Sequence, residues 1–157
     1  MFVILFFFAL CYIVWSDITK RKIYNKTIAF LMILSTFLLF SGKVWVAYDL
    51  KDSIFSFLFF SVIFLIFYAI NIMGAGDVKF LMVLSFLFGF NNFLFVFIIS
   101  IFMMFFYVSI VWFFLIFGLE KFRLKLTFND VGKKYIPYGA CLSVASIAML
   151  LKNEVGI

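Results

Sequence analysis

The chain has 157 residues, 68% hydrophobic and 24% aromatic, with 13% charged side chains, a single Pro and no His. A soluble globular domain carries roughly 45–50% apolar and about 25% charged residues, and disordered chains are poor in aromatics, so both classes are excluded. The net charge of +6 would suggest nucleic acid in a soluble protein; in a membrane chain the placement of Lys and Arg matters more than their sum, and no nucleic-acid partner is expected.

The apolar content suffices for roughly five to seven spans of ~15–22 residues. Polar clusters divide it into six predicted helices, over residues 2–15, 27–40, 53–73, 78–90, 93–117 and 137–151. The expectation is an all-α, polytopic membrane protein of about six transmembrane helices, a single domain over 1–157, with the lipid bilayer as its surroundings. In the first helix Met1 leads directly into Phe2 and the cations follow the apolar run. That is the reverse of a cleaved signal peptide, so a retained helix with its N-terminus outside is expected.

Segments 16–26, 74–79 and 118–136 hold Lys20, Arg21, Lys22, Lys26, Lys79, Lys121, Arg123, Lys125, Lys133 and Lys134, whereas the other connections and the C-terminus hold only Lys43, Lys51 and Lys152. This alternation assigns the first set to the cytoplasm and both termini to the outside. Pro137 fits the first turn of the last helix, where a missing N–H costs nothing.

The chemistry available is narrow. Cys11 and Cys141 sit in apolar runs without a C-x-x-C pair, which indicates neither a zinc site nor a disulfide framework. The absence of His removes the commonest metal ligand and general base, so no metal and no cofactor are expected. Of the acidic residues, Asp49, Asp52 and Glu154 fall in predicted outer segments, and Glu120 and Asp130 lie among Lys and Arg; these five read as solvated loop charges.

Asp17 and Asp77 differ, because each abuts a predicted helix end on the cytoplasmic side. Asp17 follows helix 1, where the negative end of the helix dipole disfavours an ionised carboxyl. Asp77 closes Gly74-Ala75-Gly76-Asp77 directly before helix 4, where the positive dipole end and unpaired N–H groups favour ionisation. Gly74 and Gly76 open backbone conformations closed to other residues and permit close approach of another segment. Two carboxyls at one membrane face can share a proton, one activating water and the other polarising a peptide carbonyl. Taken singly, Asp77 is a helix cap after a glycine turn, Asp17 a partner for Lys20 or Arg21, and Lys20-Arg21-Lys22 a topology signal. A small transporter or channel using Asp17 or Asp77 as an ion or proton site is the alternative reading, and a structural membrane subunit a further one.

Three motifs in order, Ser16-Asp17 with a basic stretch and Ile23-Tyr24-Asn25, Gly74-Ala75-Gly76-Asp77-Val78-Lys79, and Pro137-Tyr138-Gly139, resemble those of the type IV prepilin peptidases. These are Gly-x-Gly-Asp aspartyl proteases, and the short form resembles the branch serving tight-adherence (Flp) pili. The resemblance implies a membrane aspartic endopeptidase of the cell inner membrane that removes the short basic leader of a pilin-like precursor at the cytoplasmic face. It gives Asp17 and Asp77 the two catalytic roles. It makes Lys79 a group that holds a substrate carboxylate or orients Asp77, and Gly74, Gly76 and Asn25 supporting residues. Family members often carry Pro where Tyr24 stands. The larger branch adds a cytoplasmic insertion with paired C-x-x-C motifs and N-methyltransferase activity; with neither present in the sequence, peptidase activity alone is implied. No oligomeric state follows.

Overall fold

The computed structural model describes residues 2–20, 22–40, 49–116 and 138–155. Among them the chain is all-helical, with five helices: α1 (Phe2–Lys20), α2 (Asn25–Phe40), α3 (Leu50–Ala69), α4 (Ala75–Ile116) and α5 (Tyr138–Val155). The expected cytoplasmic connection 118–136, Pro137, Arg21 and Lys43 lie outside the described residues.

By length and composition three stretches can cross a membrane, Val3–Lys20, Leu50–Ala69 and Ala75–Ile110, while Asn25–Phe40 and Tyr138–Leu151 are shorter apolar helices. The fourth and fifth helices expected from the sequence are the two arms of α4, which meet directly at the non-helical Gly89 (φ 69°, ψ −177°) rather than across residues 91–92. The break is sharp enough to fold α4 back on itself. Along α3, Asp52 meets Phe90 and Ser56 meets Ser85, an antiparallel order, whereas Phe60 packs edge-on against Phe93 and Phe64 at a tilt against Phe97, a parallel one. The left-handed φ that this turn requires is open to Gly at little cost.

A helix beginning at such a break has N–H groups with no partner in the preceding turn. One of them, Phe90 N–H, donates to Asp52 Oδ2 at 3.2 Å. Asp52 is therefore not the solvated loop charge expected from the sequence: it sits in the first turn of α3 and caps the second arm of α4.

The other boundaries moved for local reasons. α1 continues past residue 15 to Lys20, and within it Thr19 Oγ1 donates to Trp15 O (2.6 Å), so the hydroxyl is satisfied inside the helix. Loss of hydropathy marks the end of the apolar run there, not the end of the helix. α3 stops at Ala69 rather than 73, where Asn71 takes a left-handed φ of 57°. Ile72 N–H then bonds Phe67 O and Asn71 N–H bonds Tyr68 O, a Schellman closure in which Asn replaces the usual Gly.

Helix association in lipid draws on close packing and interhelical hydrogen bonds, since lipid tails are as apolar as the side chains. The buried stripe of α3 is Ser53, Ser56, Phe60 and Phe64. Phe60 and Phe93 meet with ring centroids 4.6 Å apart, and Ser56 Oγ donates to Ser85 O at 2.8 Å. The opposite face of α3 exposes Phe55, Leu58, Val62 and Leu65, a surface suited to acyl chains and not to water.

The Gly89 break generates a stability prediction. Asp52→Ala leaves Phe90 N–H without its acceptor and lowers the stability of the detergent-solubilised protein by about 1–2 kcal/mol, whereas Asp52→Asn, also a cap acceptor, retains most of it. Thermal unfolding followed by helical signal decides between them; equal stability of wild type and Asp52→Ala would dismiss the cap.

Candidate active site

In α1 the buried residues Phe6, Leu10 and Ile13 recur at spacings of four and three, and the next buried members of that stripe are Ser16 and Asp17. The 3.6-residue period thus turns Asp17 into the bundle, where it is 0% exposed. On the first arm of α4 the stripe Asp77, Phe80, Leu81, Leu84 and Phe88 does the same, leaving Asp77 9% exposed. Both carboxyls are inside helices. Asp77 does not precede its helix as the sequence suggested: Val78 N–H already bonds Gly74 O (3.1 Å), so the helix opens at Ala75.

Asp77 reaches back to accept a hydrogen bond from the Gly74 backbone, the half of a capping box that the third helical residue supplies. A Cβ on Gly74 would lie 3.2 Å from Asp77 Oδ2. Among the described residues Gly89 is the glycine with positive φ. Gly74 and Gly76 therefore serve close approach, one of the two uses expected of them, and not unusual backbone torsions.

Asp17 meets a partner 123 positions away. Its Oδ2 accepts the N–H of Ala140 at 2.8 Å, one of the first N–H groups of α5, which lack intrahelical acceptors. The Asp17 carboxyl consequently faces the positive end of a second helix, a neighbour that the dipole of α1 alone does not reveal. Gly139 makes the approach feasible, because a Cβ there would lie 3.1 Å from Asp17 Oδ2 and 2.6 Å from Ile23 Cδ1.

Around this pair the described parts of segments 16–26 and 74–79 and the start of α5 converge at one end of the bundle. Asp17 and Asp77 lie within electrostatic reach of each other, and Tyr138 within reach of Asp77. The hydroxyl of Tyr138 lies 3.3 Å from Ser100 Oγ. Ser100 uses its own proton on Phe97 O (2.7 Å), so the phenol is the donor of that pair. Lys79 Nζ donates to Asn25 Oδ1 at 3.3 Å; in this state its amine ties the start of α2 to α4.

All six candidate residues from the sequence, Asp17, Asn25, Gly74, Gly76, Asp77 and Lys79, are thus gathered at this end. Ala140, Ile23, Tyr138 and Ser100 were not assigned any part in it. Ala140 acts through its backbone and leaves no side-chain signal, while Ser100 is visible only as an isolated hydroxyl in an apolar run.

Two buried carboxyls thus lie at one end of an apolar bundle, each beside the first turn of a helix. Residues 4–110 match the type IV leader peptidase family, and the chain belongs to that family. The matched residues contain both aspartates and the Gly74-Ala75-Gly76-Asp77 turn and end before α5. No curated protein and no solved structure gives a match.

The glycine packing yields a second prediction. Gly139→Ala overpacks Ile23 and Asp17 and destabilises the protein by about 1–3 kcal/mol. Ile23→Val removes Cδ1, the nearest atom, and in the double variant restores part of the loss. Strictly additive effects in the unfolding midpoints of the two singles and the double would contradict the contact.

Proposed function

We propose that the chain is a membrane aspartic endopeptidase that cuts the short basic leader from a pilin-like precursor at the cytoplasmic face of the inner membrane, with Asp17 and Asp77 as the catalytic pair. The observation that carries this reading is the convergence, in a member of the leader peptidase family, of two aspartates 60 positions apart in buried, mutually interacting positions. Their cytoplasmic placement is supported by the cations of segments 16–26 and 74–79, which share that end. Three-connection topology with both termini outside belongs to the same reading.

In the proposed mechanism, one of the two carboxyls removes a proton from water as the oxygen attacks the scissile carbonyl carbon, and the other delivers a proton to the carbonyl oxygen. The tetrahedral diol then collapses: the carboxyl that took the water proton gives it to the leaving nitrogen as the C–N bond breaks, and the other carboxyl recovers its proton from a diol hydroxyl. The two carboxyls act as one coupled unit. Because Asp17 Oδ2 is the acceptor for Ala140 N–H, a proton carried by Asp17 resides on Oδ1. The bond from α5 thus selects which edge of the carboxyl faces the substrate.

Lys79 and Asn25 are the accessible polar pair beside the carboxyls, both exposed, and in this reading they contact the substrate or support the start of α2. The lipid bilayer supplies the second partner, presenting the hydrophobic segment of the precursor alongside α4.

The test is co-expression with a pilin-like precursor. Asp17→Asn and Asp77→Asn each reduce leader removal by at least about a hundredfold while the proteins accumulate normally in the membrane. Full processing by either variant would refute the pair. Replacing Lys79 by Ala breaks one exposed hydrogen bond and lowers stability by less than about 1 kcal/mol. A fall in kcat/KM beyond that measure identifies a contact with substrate.

A further inference from the structure

Between α1 and α2 the segment Lys22-Ile23-Tyr24 carries no helix, yet its central side chain is only 8% exposed. Ile23 is wedged between the first turns of two other helices. Its Cβ lies 3.4 Å from the position a Cβ would take on Gly76, and its Cδ1 2.6 Å from the corresponding position on Gly139. The isoleucine therefore extends from the Gly-x-Gly-Asp turn to the start of α5, beside the oxygen of Asp17 that α5 holds.

The neighbours of Ile23 fasten the segment. Ser16 Oγ donates to Lys22 O at 2.7 Å, the Lys20 ammonium lies 5.7 Å from the centroid of the Tyr24 ring, and Lys79 holds Asn25 at 3.3 Å. The first is shielded, with Ser16 3% exposed; the Lys79 bond is at the surface. A closed arrangement of this kind leaves Asp17 with no exposure and Asp77 with 9%. At those exposures an extended peptide cannot bring one carbonyl into contact with both carboxyls.

We propose that Lys22-Ile23-Tyr24 is a strap whose Ile23 side chain fills the substrate cleft of the resting enzyme, and that an extended peptide segment of the precursor displaces it to reach the two aspartates. The proposal rests on the peptidase reading above and adds the gate to it. The fastenings make opening reversible: one shielded hydrogen bond, one cation over a ring and one exposed hydrogen bond are each weak enough to exchange for contacts with a bound peptide. The two glycines have a second role in the open state, because the space vacated by Ile23 is lined on two sides by backbone without side chains, against which another backbone fits closely.

The experiment uses the full chain in membrane vesicles, with Cys11 and Cys141 replaced by Ala and Ile23→Cys introduced. A water-soluble maleimide reports exposure of the new thiol, and Lys22→Cys in the same background gives the rate for an exposed position. At rest Cys at 23 reacts roughly tenfold or more slowly than Cys at 22, as expected where exposure requires local opening. Adding the uncleaved precursor to the same variant carrying Asp77→Asn accelerates the labelling several-fold. Binding of the precursor, measured by co-purification, without any change in the rate overturns the strap and leaves the peptidase reading intact. A wild-type chain that neither binds nor cleaves the precursor overturns both.

A second pair of variants guards against a thiol that disturbs the cleft. Ile23→Cys with Gly76→Cys places the two Cβ atoms 3.4 Å apart, close to the 3.5–4.5 Å that a disulfide needs. Oxidation of this variant blocks acceleration of precursor binding and cleavage, and reduction restores whatever the reduced form possesses. Ile23→Ala lowers KM for the precursor, because the plug is smaller. Equal binding by oxidised and reduced forms, together with an unchanged KM in Ile23→Ala, would show Ile23 to be ordinary packing.

Discussion

Polar groups enclosed by apolar helices must find their partners within the protein, because the bilayer core offers no water to replace them. That constraint organises this molecule. Where α4 breaks at Gly89, the orphaned Phe90 N–H takes Asp52; where α5 begins, Ala140 N–H takes Asp17. Ser56, Ser100 and Tyr138 spend their hydroxyls on partners in neighbouring turns or helices. The contacts of Asp52 and Asp17 each fix the start of a helix that apolar packing alone would let slide.

The two aspartates that cap helices thereby mark opposite ends of the bundle. Asp52 secures the turn that returns the second arm of α4 alongside α3, and that return brings Ser100 to Tyr138 at the other end. Asp17 secures the start of α5 against α1. The geometry around the carboxyls at the candidate site therefore depends on a hydrogen bond at the far end, which keeps the arm carrying Ser100 in register.

Much of this was legible from residue types. The helical class, the joint position of Asp17 and Asp77 and the meeting of segments 16–26 and 74–79 follow from apolar runs and the placement of cations. What sequence did not show was governed by backbone groups and by single contacts across the chain. Hydropathy located the apolar stretches but not the helix ends, since Thr19 satisfies itself within α1 and Asn71 closes α3 early. Asp52 read as a surface charge because its partner, an N–H freed by Gly89, has no signature in composition. Ile23 passed as one more apolar residue in a motif, whereas two absent side chains, at Gly76 and Gly139, give it a place beside the carboxyls.

The bond between Asp17 and Ala140 also imposes an order on synthesis. The two residues are 123 positions apart, so at ~5–20 residues per second the acid leaves the ribosome roughly 6–25 seconds before its donor exists. During that interval α1 can enter the bilayer only with Asp17 held at the water boundary or carrying a proton. The start of α5, once made, supplies the N–H that releases it from that choice.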